Sequence, residues 1–502
     1  MIAPDIIYLI SEYNSKIKDS IYLSTIDKEI YNNSDKIFLN KPVITRNNYM
    51  TILKYRFNDF MIDRDIVIRN LEKLHLKTNK YYVENIDCLK TIPKNVKELI
   101  ISIPTEDKRI INLEEFQSTS IIIEHNGFKN KIIFPKSLTH LTLNKLVHNY
   151  YDNNENQLIS LPNSLTHLFL DRYTNELIIL PDKLTHLTFG GNFNQSIILP
   201  NNLTHLTFGT KFNQPINLPN NLTHLTFKTY FNQPITLPNS LTHLTFGYSF
   251  NQPITLPDNL THLTFGWKFN QSIILPNSLT HLTFDNDYNQ LIILPNSLKY
   301  LTFGRNFNQS ITLPNSLKHL TFGRNFNKPI NLPNGLTHLT FGRNFNQPIT
   351  LPNSLTHLTF GRNFNRLITL PDGLRYLKFD RNFDKSITLP NNLTHLIFGE
   401  KFNKPIVLPT NIIDIEFGDC FNQVVKLIDD NTGKSFKNLE LVKFSYNYCS
   451  KILIGSTDNK SKKVKIKLNY DHLDKIFPIE ENYDYRNYII ESIHCSTSIV
   501  HL

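Results

Sequence analysis

The chain has 502 residues, 40% of them hydrophobic and 19% charged, a content that folds and rules against a disordered chain, while 53 Lys plus Arg against 43 Asp plus Glu leave a net charge of +10 too dilute to select a partner by itself. Cys88, Cys420, Cys449 and Cys495 lie far apart without a CxxC pair, which supports neither a disulfide framework nor a zinc module. The opening MIAPDIIYLISEY has no cationic segment and no eighteen apolar residues run together, so no signal peptide or membrane span is expected and the chain reads as an intracellular, cytoplasmic protein.

Residues 1–60 lack the spacing found further on. Apolar residues at Ile6, Ile7, Ile10, Tyr13 and Ile17, then at Ile21, Leu23, Ile26 and Ile30, predict two or three short amphipathic helices, with Pro4 where a helix can begin. Pro4, Asp5, Ile6 and Ile7, then Asp19, then Leu23, Ser24 and Lys28, resemble a degenerate F-box, although Ala3 and Asn14 stand where that family usually has Leu. The resemblance implies a Skp1-like partner held through Pro4, Ile6, Ile7, Ile10 and Leu23. The residues alone fit a helical N-terminal cap equally well.

Over 61–160 a repeating spacing emerges in degenerate form. NLEKLHL at 70–76, IPKNVKELII at 92–101 and FPKSLTHLTL at 134–143 share LxxLxL, and an excess rich in Asn, Asp and Tyr at about 148–157 reads as a loop on one coil. From 161 to 426 the repeat is regular: the proline of Leu-Pro recurs from Pro162 to Pro409, fourteen times at a spacing of 19 residues. The unit at 332–350 reads LPNGLTHLTFGRNFNQPIT; with its first leucine as position 1, apolar residues fall at positions 1, 5, 8, 10, 14 and 18.

That pattern has neither the 3.6 period of a long helix nor free alternation, and predicts a coil that sends several side chains inward on each turn. Alternation over positions 8 to 10 predicts a short parallel strand with Leu339 and Phe341 inside and His338 and Thr340 outside. Proline at position 2 with Asn and Ser, Asn or Gly behind it supplies one turn, and Gly or Asp at position 11 starts the other bend. Phe345 and Asn346 add an aromatic row and an amide row, the latter able to satisfy backbone groups of a loop with no ladder of its own. LxxLxF followed by FNQPIT and LP resembles the FNIP repeat, itself similar to short leucine-rich repeats; arrays joined to an F-box resemble those of giant amoeba viruses and social amoebae. The resemblance implies a repeat solenoid with a parallel concave sheet and a mostly irregular convex side. Residues 427–502, where Leu439, Leu441 and Phe444 suggest a further unit, read as divergent coils and a cap.

Three features could carry recognition. Position 7 is His in eleven of fourteen units (His167, His186, His205, His224, His243, His262, His281, His319, His338, His357 and His395), with Tyr300, Tyr376 and Asp414 in the others. Imidazoles about 5 Å apart repel when charged by roughly 0.8 to 0.9 kcal/mol in water, so the row should titrate below free histidine. Flanked mainly by Thr, it reads as a polar stripe and not as a metal site. Position 12 is Arg in five consecutive units, Arg305, Arg324, Arg343, Arg362 and Arg381, where either an acidic partner or plain copying of one unit explains the row. Tyr230, Tyr248 and the sole tryptophan, Trp267, fall on the same exposed bend, a combination that interfaces concentrate. No nucleotide-binding, HExxH or nucleophile motif occurs, so neither catalysis nor a cofactor is expected.

The reading is therefore a non-enzymatic protein-binding solenoid; the resemblance refines it to a substrate-recognition adaptor of a Skp1-cullin-type ubiquitin ligase. The alternative is a plain scaffold with residues 1–60 as its cap, and a third reading is nucleic-acid binding through the Arg row, against which stands the lack of a stacking groove.

Overall fold

The computed structural model describes residues 43–44, 59–62, 80–83, 86–103, 109–125, 132–145, 161–171, 178–428, 436–445, 447–448, 450–454, 464–468, 476–478, 488–492 and 499–501. The chain forms two compact units, Met1–Leu241 and Thr242–Leu502. In the first, one parallel ladder runs through Val43–Ile44, Asp59–Ile62, Lys80–Val83, Glu98–Ile103, Ser120–His125, His140–Lys145, His167–Leu170, His186–Thr188, His205–Phe208 and His224–Phe227. In the second the ladder runs from His243–Thr245 one coil at a time to Asp414–Glu416, then Leu441–Lys443, Val464–Leu468 and Tyr488–Ser492, with Ile499–His501 antiparallel on the last strand. The fold is a parallel β-solenoid whose return segments are mostly irregular. Among the described residues the one helix is the 3-10 turn Ile86–Thr91.

Register follows the 19-residue period directly: Leu339 pairs with Leu320 and Leu358, and His338 with His319 and His357. Strands read His-Leu-Thr-Phe, and two-residue alternation buries Leu and Phe while His and Thr stay outward. Leu336, Leu339, Phe341 and Phe345 are all no more than 1% exposed. The aromatic rows interlock, with Phe345 stacked 3.7 Å from Phe341 in its own coil and about 6 Å from Phe326 and Phe364 in the flanking ones. A single coil would leave both ring faces wet, so the core exists only by stacking.

The turns behave as their chemistry predicts. The Leu336 N–H donates to the Pro333 carbonyl at 3.2 Å, and the same turn recurs along the array. At the opposite bend glycine is required by close approach, because a Cβ on Gly342 would fall 1.9 Å from the Gly323 carbonyl oxygen. The amide row also forms: Asn327 Oδ1 accepts the Asn346 N–H at 2.9 Å, and Asn346 Oδ1 accepts that of Asn365 at 3.0 Å.

Not every apolar position of the unit points inward. At position 18 Ile349 is half-buried between exposed Pro348 and Thr350, while the proline at position 2 is buried. The segment before Leu-Pro makes no ladder bonds that would hold its side chain inward, whereas the turn fixes the proline ring against the core. In the divergent coil at 439–444 the inward residues are Leu439, Val442 and Phe444, while Leu441 pairs with Asp414 on the outward row. Of residues 1–60, read as a helical F-box-like or capping region, Val43–Ile44 and the first two residues of Asp59–Ile62 are strands of the ladder, while the helices read between Ile6 and Ile30 lie outside the described residues.

Candidate protein-binding surface

On the outward face of each unit the imidazoles stack in a column. Ring centroids of His140, His167, His186, His205 and His224 succeed one another at 4.1 to 4.2 Å in the first unit. In the second, His243, His262 and His281 stack at 4.1 Å, Tyr300 takes a place between His281 and His319, and His338 and His357 follow at 4.1 and 4.2 Å. Tyr376 sits further off, 5.9 Å from His357, and His395 Nε2 lies 3.3 Å from the Asp414 carboxylate. His140, outside the regular array, belongs to the column; the THLTL match at 139–143 was the signal for it.

Where a threonine precedes the histidine, as it does throughout the row except at Lys318-His319, it sets the ring's protonation. Thr185 Oγ1 donates to the Thr166 carbonyl at 3.1 Å and also lies 2.9 Å from His186 Nδ1. A hydroxyl has one proton, so the second contact is an Nδ1–H donating to Oγ1. The same pair of contacts recurs at Thr166, Thr204, Thr223, Thr261, Thr280, Thr337, Thr356 and Thr394. Each of these histidines is thereby fixed as the Nδ1–H tautomer, and its Nε2 is left as an acceptor.

Burial first, and neighbouring imidazole charge second, hold His167, His186, His319 and His338 below the ordinary histidine range; the same holds for His281 and His357, with Lys299 and Arg375 adding repulsion. Mutual repulsion was expected as the cause, and desolvation exceeds it. Stacked rings point their nitrogens side by side and not at a common point, and among the described residues no group of three or more His, Cys, Asp or Glu is placed to hold a metal ion.

Along the bend of the second unit, position 12 carries Tyr248, Trp267, Asn286, Arg305, Arg324, Arg343, Arg362 and Arg381 in successive coils. Tyr248 and Trp267, 42% and 37% exposed, meet at 5.5 Å with the Lys268 ammonium over the Tyr248 ring. Tyr230 is exposed on the corresponding bend of the first unit. Arg381 differs from the other four: its Nη2 donates to Glu400 Oε1 at 3.0 Å and its Nε lies 2.6 Å from Oε2. The asparagine after each arginine forms a second ladder: Asn325 Nδ2 donates to Asn306 Oδ1 at 3.1 Å, and Asn344 to Asn325 at 3.2 Å. Pro4, Ile6, Ile7, Ile10 and Leu23 lie outside the described residues.

Residues 153–401 match the FNIP repeat in a succession of segments. CroV588, a circular leucine-rich-repeat protein of known structure, is 32% identical, the alignment covering 89% of this chain and 97% of that one with a TM-score of 0.50. YopM from Yersinia enterocolitica WA-314 is 19% identical over 87% of this chain and 85% of its own, with a TM-score of 0.44. No curated protein sequence matches. Among the described residues no helix is long and apolar enough to cross a membrane. With the 19-residue unit, its parallel ladder, the repeat match and the 32% identity to CroV588 together, the chain carries FNIP repeats over residues 153–401 and belongs with the leucine-rich-repeat solenoids.

Proposed function

We propose that this chain is a non-enzymatic binding protein that holds a protein partner on the outward face of its parallel sheet and on the adjoining bend. Repeat solenoids of this kind are typical of protein–protein interaction. The observation that carries the reading is the outward row of His, Tyr and Thr side chains within each unit, fixed in register by the ladder beneath it and oriented before any partner arrives. A surface ordered in advance loses little side-chain entropy on binding. Benzophenone photo-crosslinking tests it, with the probe at Thr340 on the sheet face and at Thr350 on the return segment. A discrete protein adduct formed from Thr340 and absent from Thr350 is the expected result; no adduct, or identical adducts from both, overturns the reading.

A narrower reading makes the chain a substrate-recognition adaptor of a Skp1-cullin-type ubiquitin ligase in the cytoplasm. Its support is the sequence pattern Pro4, Ile6, Ile7, Ile10 and Leu23. Copurification of a Skp1-like protein and a cullin with the full chain, lost on changing Ile6 and Ile7 to Asp, is what it requires. Failure of the intact chain to recover either leaves the plain scaffold.

A further inference from the structure

Of the five arginines on the second unit's bend, one is answered by a carboxylate among the described residues. Among the described residues Arg381 pairs with Glu400, whereas no ion pair reaches Arg305, Arg324, Arg343 or Arg362. Strands in a ladder repeat at about 4.8 Å, so these four lie in a strip about 14 Å long. Neighbouring guanidinium groups at about 5 Å repel by roughly 0.8 kcal/mol even in water. Copying of one unit explains why Arg and Asn recur together, but the Asn side chains have a use inside the chain and these Arg side chains have none there.

The strip is built to stay in place. Backbone N–H groups of Asn325, Asn344, Asn363 and Asn382 donate to the carbonyls of Arg305, Arg324, Arg343 and Arg362 at 2.8 to 2.9 Å. The amides of those same asparagines bond from coil to coil, and glycine at position 11 lets the coils approach closely. Arg343 and Arg362 share one shallow cleft with Lys378, floored by Gly342 and Gly361, where Asp380 is the single acidic residue on the rim. The strip also ends in acid, with Asp285 and Asp287 before Arg305, and Asp380 and Glu400 beyond Arg362.

We infer that Arg305, Arg324, Arg343 and Arg362 form a docking strip for a short acidic segment of a protein partner. This deepens the binding-solenoid reading and rests on it. Guanidinium forks match carboxylates in pairs of parallel hydrogen bonds, and a strip about 14 Å long spans roughly four extended residues. A nucleic-acid strand fits worse. It needs aromatic platforms beside its phosphates, but the side chain after each Arg is an amide engaged in a ladder and the next one, Phe307, Phe326, Phe345 or Phe364, is buried. Tyr248 and Trp267 stand three and two coils before Arg305.

Fluorescence anisotropy of the full chain tests this with three labelled probes: hexaglutamate, hexaglutamine and an oligothymidylate of matched charge. Hexaglutamate should bind, weakening steeply with salt, and hexaglutamine should not. Changing the four arginines together to Ser should weaken hexaglutamate about tenfold or more while circular dichroism stays that of the parent, and changing them to Lys should restore part of the loss. A gain-of-binding variant guards against a folding artefact: Asp285→Asn, which removes border acid without touching the strip, should tighten the complex. No hexaglutamate binding, binding unchanged by the four Ser substitutions, or tighter arginine-dependent binding of the oligothymidylate each overturns the inference. A crosslinked partner from Thr340 that persists in the Ser variant would show that the strip alone has failed; loss of that adduct from the unmodified chain would sink the broader reading.

Discussion

A threonine hydroxyl has one proton to give, and that sets the chemistry of the outward column. Since Thr356 donates to the Thr337 carbonyl, His357 must carry its proton on Nδ1. Long-range 15N–1H correlation spectra above pH 7.5 should therefore show mostly the Nδ1–H form, and Thr356→Val should release His357 to the other tautomer at a cost of about 1 kcal/mol. A column dominated by Nε2–H would contradict the assignment. The same column makes the fold acid-sensitive. Burial holds His167, His186, His281, His319, His338 and His357 below the ordinary histidine value of 6.5, so below that pH the unfolded chain takes up protons first. Their stabilising contribution is complete above pH 6.5 and is lost as pH falls through the folded values. Calorimetric Tm should be flat above about pH 7 and decline below it. Replacing His319, His338 and His357 with Tyr, the residue already present at 300 and 376, should flatten that acid limb.

Tyr288 is a local error in an otherwise repeated core. Its ring stacks on Phe284 at 3.7 Å like the phenylalanines around it, but its buried hydroxyl has no hydrogen-bond partner among the described residues, and burial raises its pKa. Tyr288→Phe removes an unsatisfied polar atom from a site its neighbours fill with Phe, and should stabilise the chain by about 1 kcal/mol in urea unfolding. A loss of stability instead would mean that the hydroxyl is satisfied.

At the scale of the single coil, the asparagine row does for the irregular bend what the ladder does for the strand. Asn327 Oδ1 accepts both the Asn346 N–H and the Gln347 side-chain amide. Asn327→Leu should cost about 1 to 3 kcal/mol, the penalty of stranding a backbone donor. Asn327→Asp should cost much less at neutral pH, because Asp384 already holds this position and accepts the Asn403 N–H at 3.0 Å. Equal losses for the two variants in urea titrations would refute the role given to the side-chain oxygen. This row was legible from sequence, since a loop without a ladder must satisfy its backbone somewhere. The strand was legible for a similar reason: alternation through Leu339 and Phe341 leaves one choice of inward face. Less legible were places where two apolar residues compete. Leu441 and Val442 are adjacent, and only pairing with Asp414 and Ile415 decides which one points inward. Ile349 and Pro333 compete likewise, and the turn that fixes the proline ring is a three-dimensional fact. The candidate site was half legible: the Arg row stands out in the sequence, but the loss of Arg381 to Glu400 depends on packing between coils.

For the molecule as a whole, the regular array at 161–426 repeats its Leu, Phe and Asn rows at one interval of 19 residues, so there the interval and not any one coil should be what folding requires. Removing residues 332–350 joins position 19 of one unit to position 1 of another. Asn327 then faces Asn365 and Gly323 lies beneath Gly361, each substituting for an equivalent partner, and the hydrophobic rows close without a gap. Nearest-neighbour contacts supply most of the stability in such an array, so the shortened chain loses one coil's intrinsic and interface terms and little else. It should unfold cooperatively with the parent's circular dichroism per residue. Removing only 332–341 discards the same coil's strand while leaving its bend, so Gly342 would have to follow Asn331 and the Leu, Phe, His and Asn rows would all lose register. That chain should lose cooperative unfolding although it is missing fewer residues. If the nineteen-residue deletion proved as damaging as the ten-residue one, the coils would not be interchangeable, and stability would have to reside in particular sequences and not in the repeat.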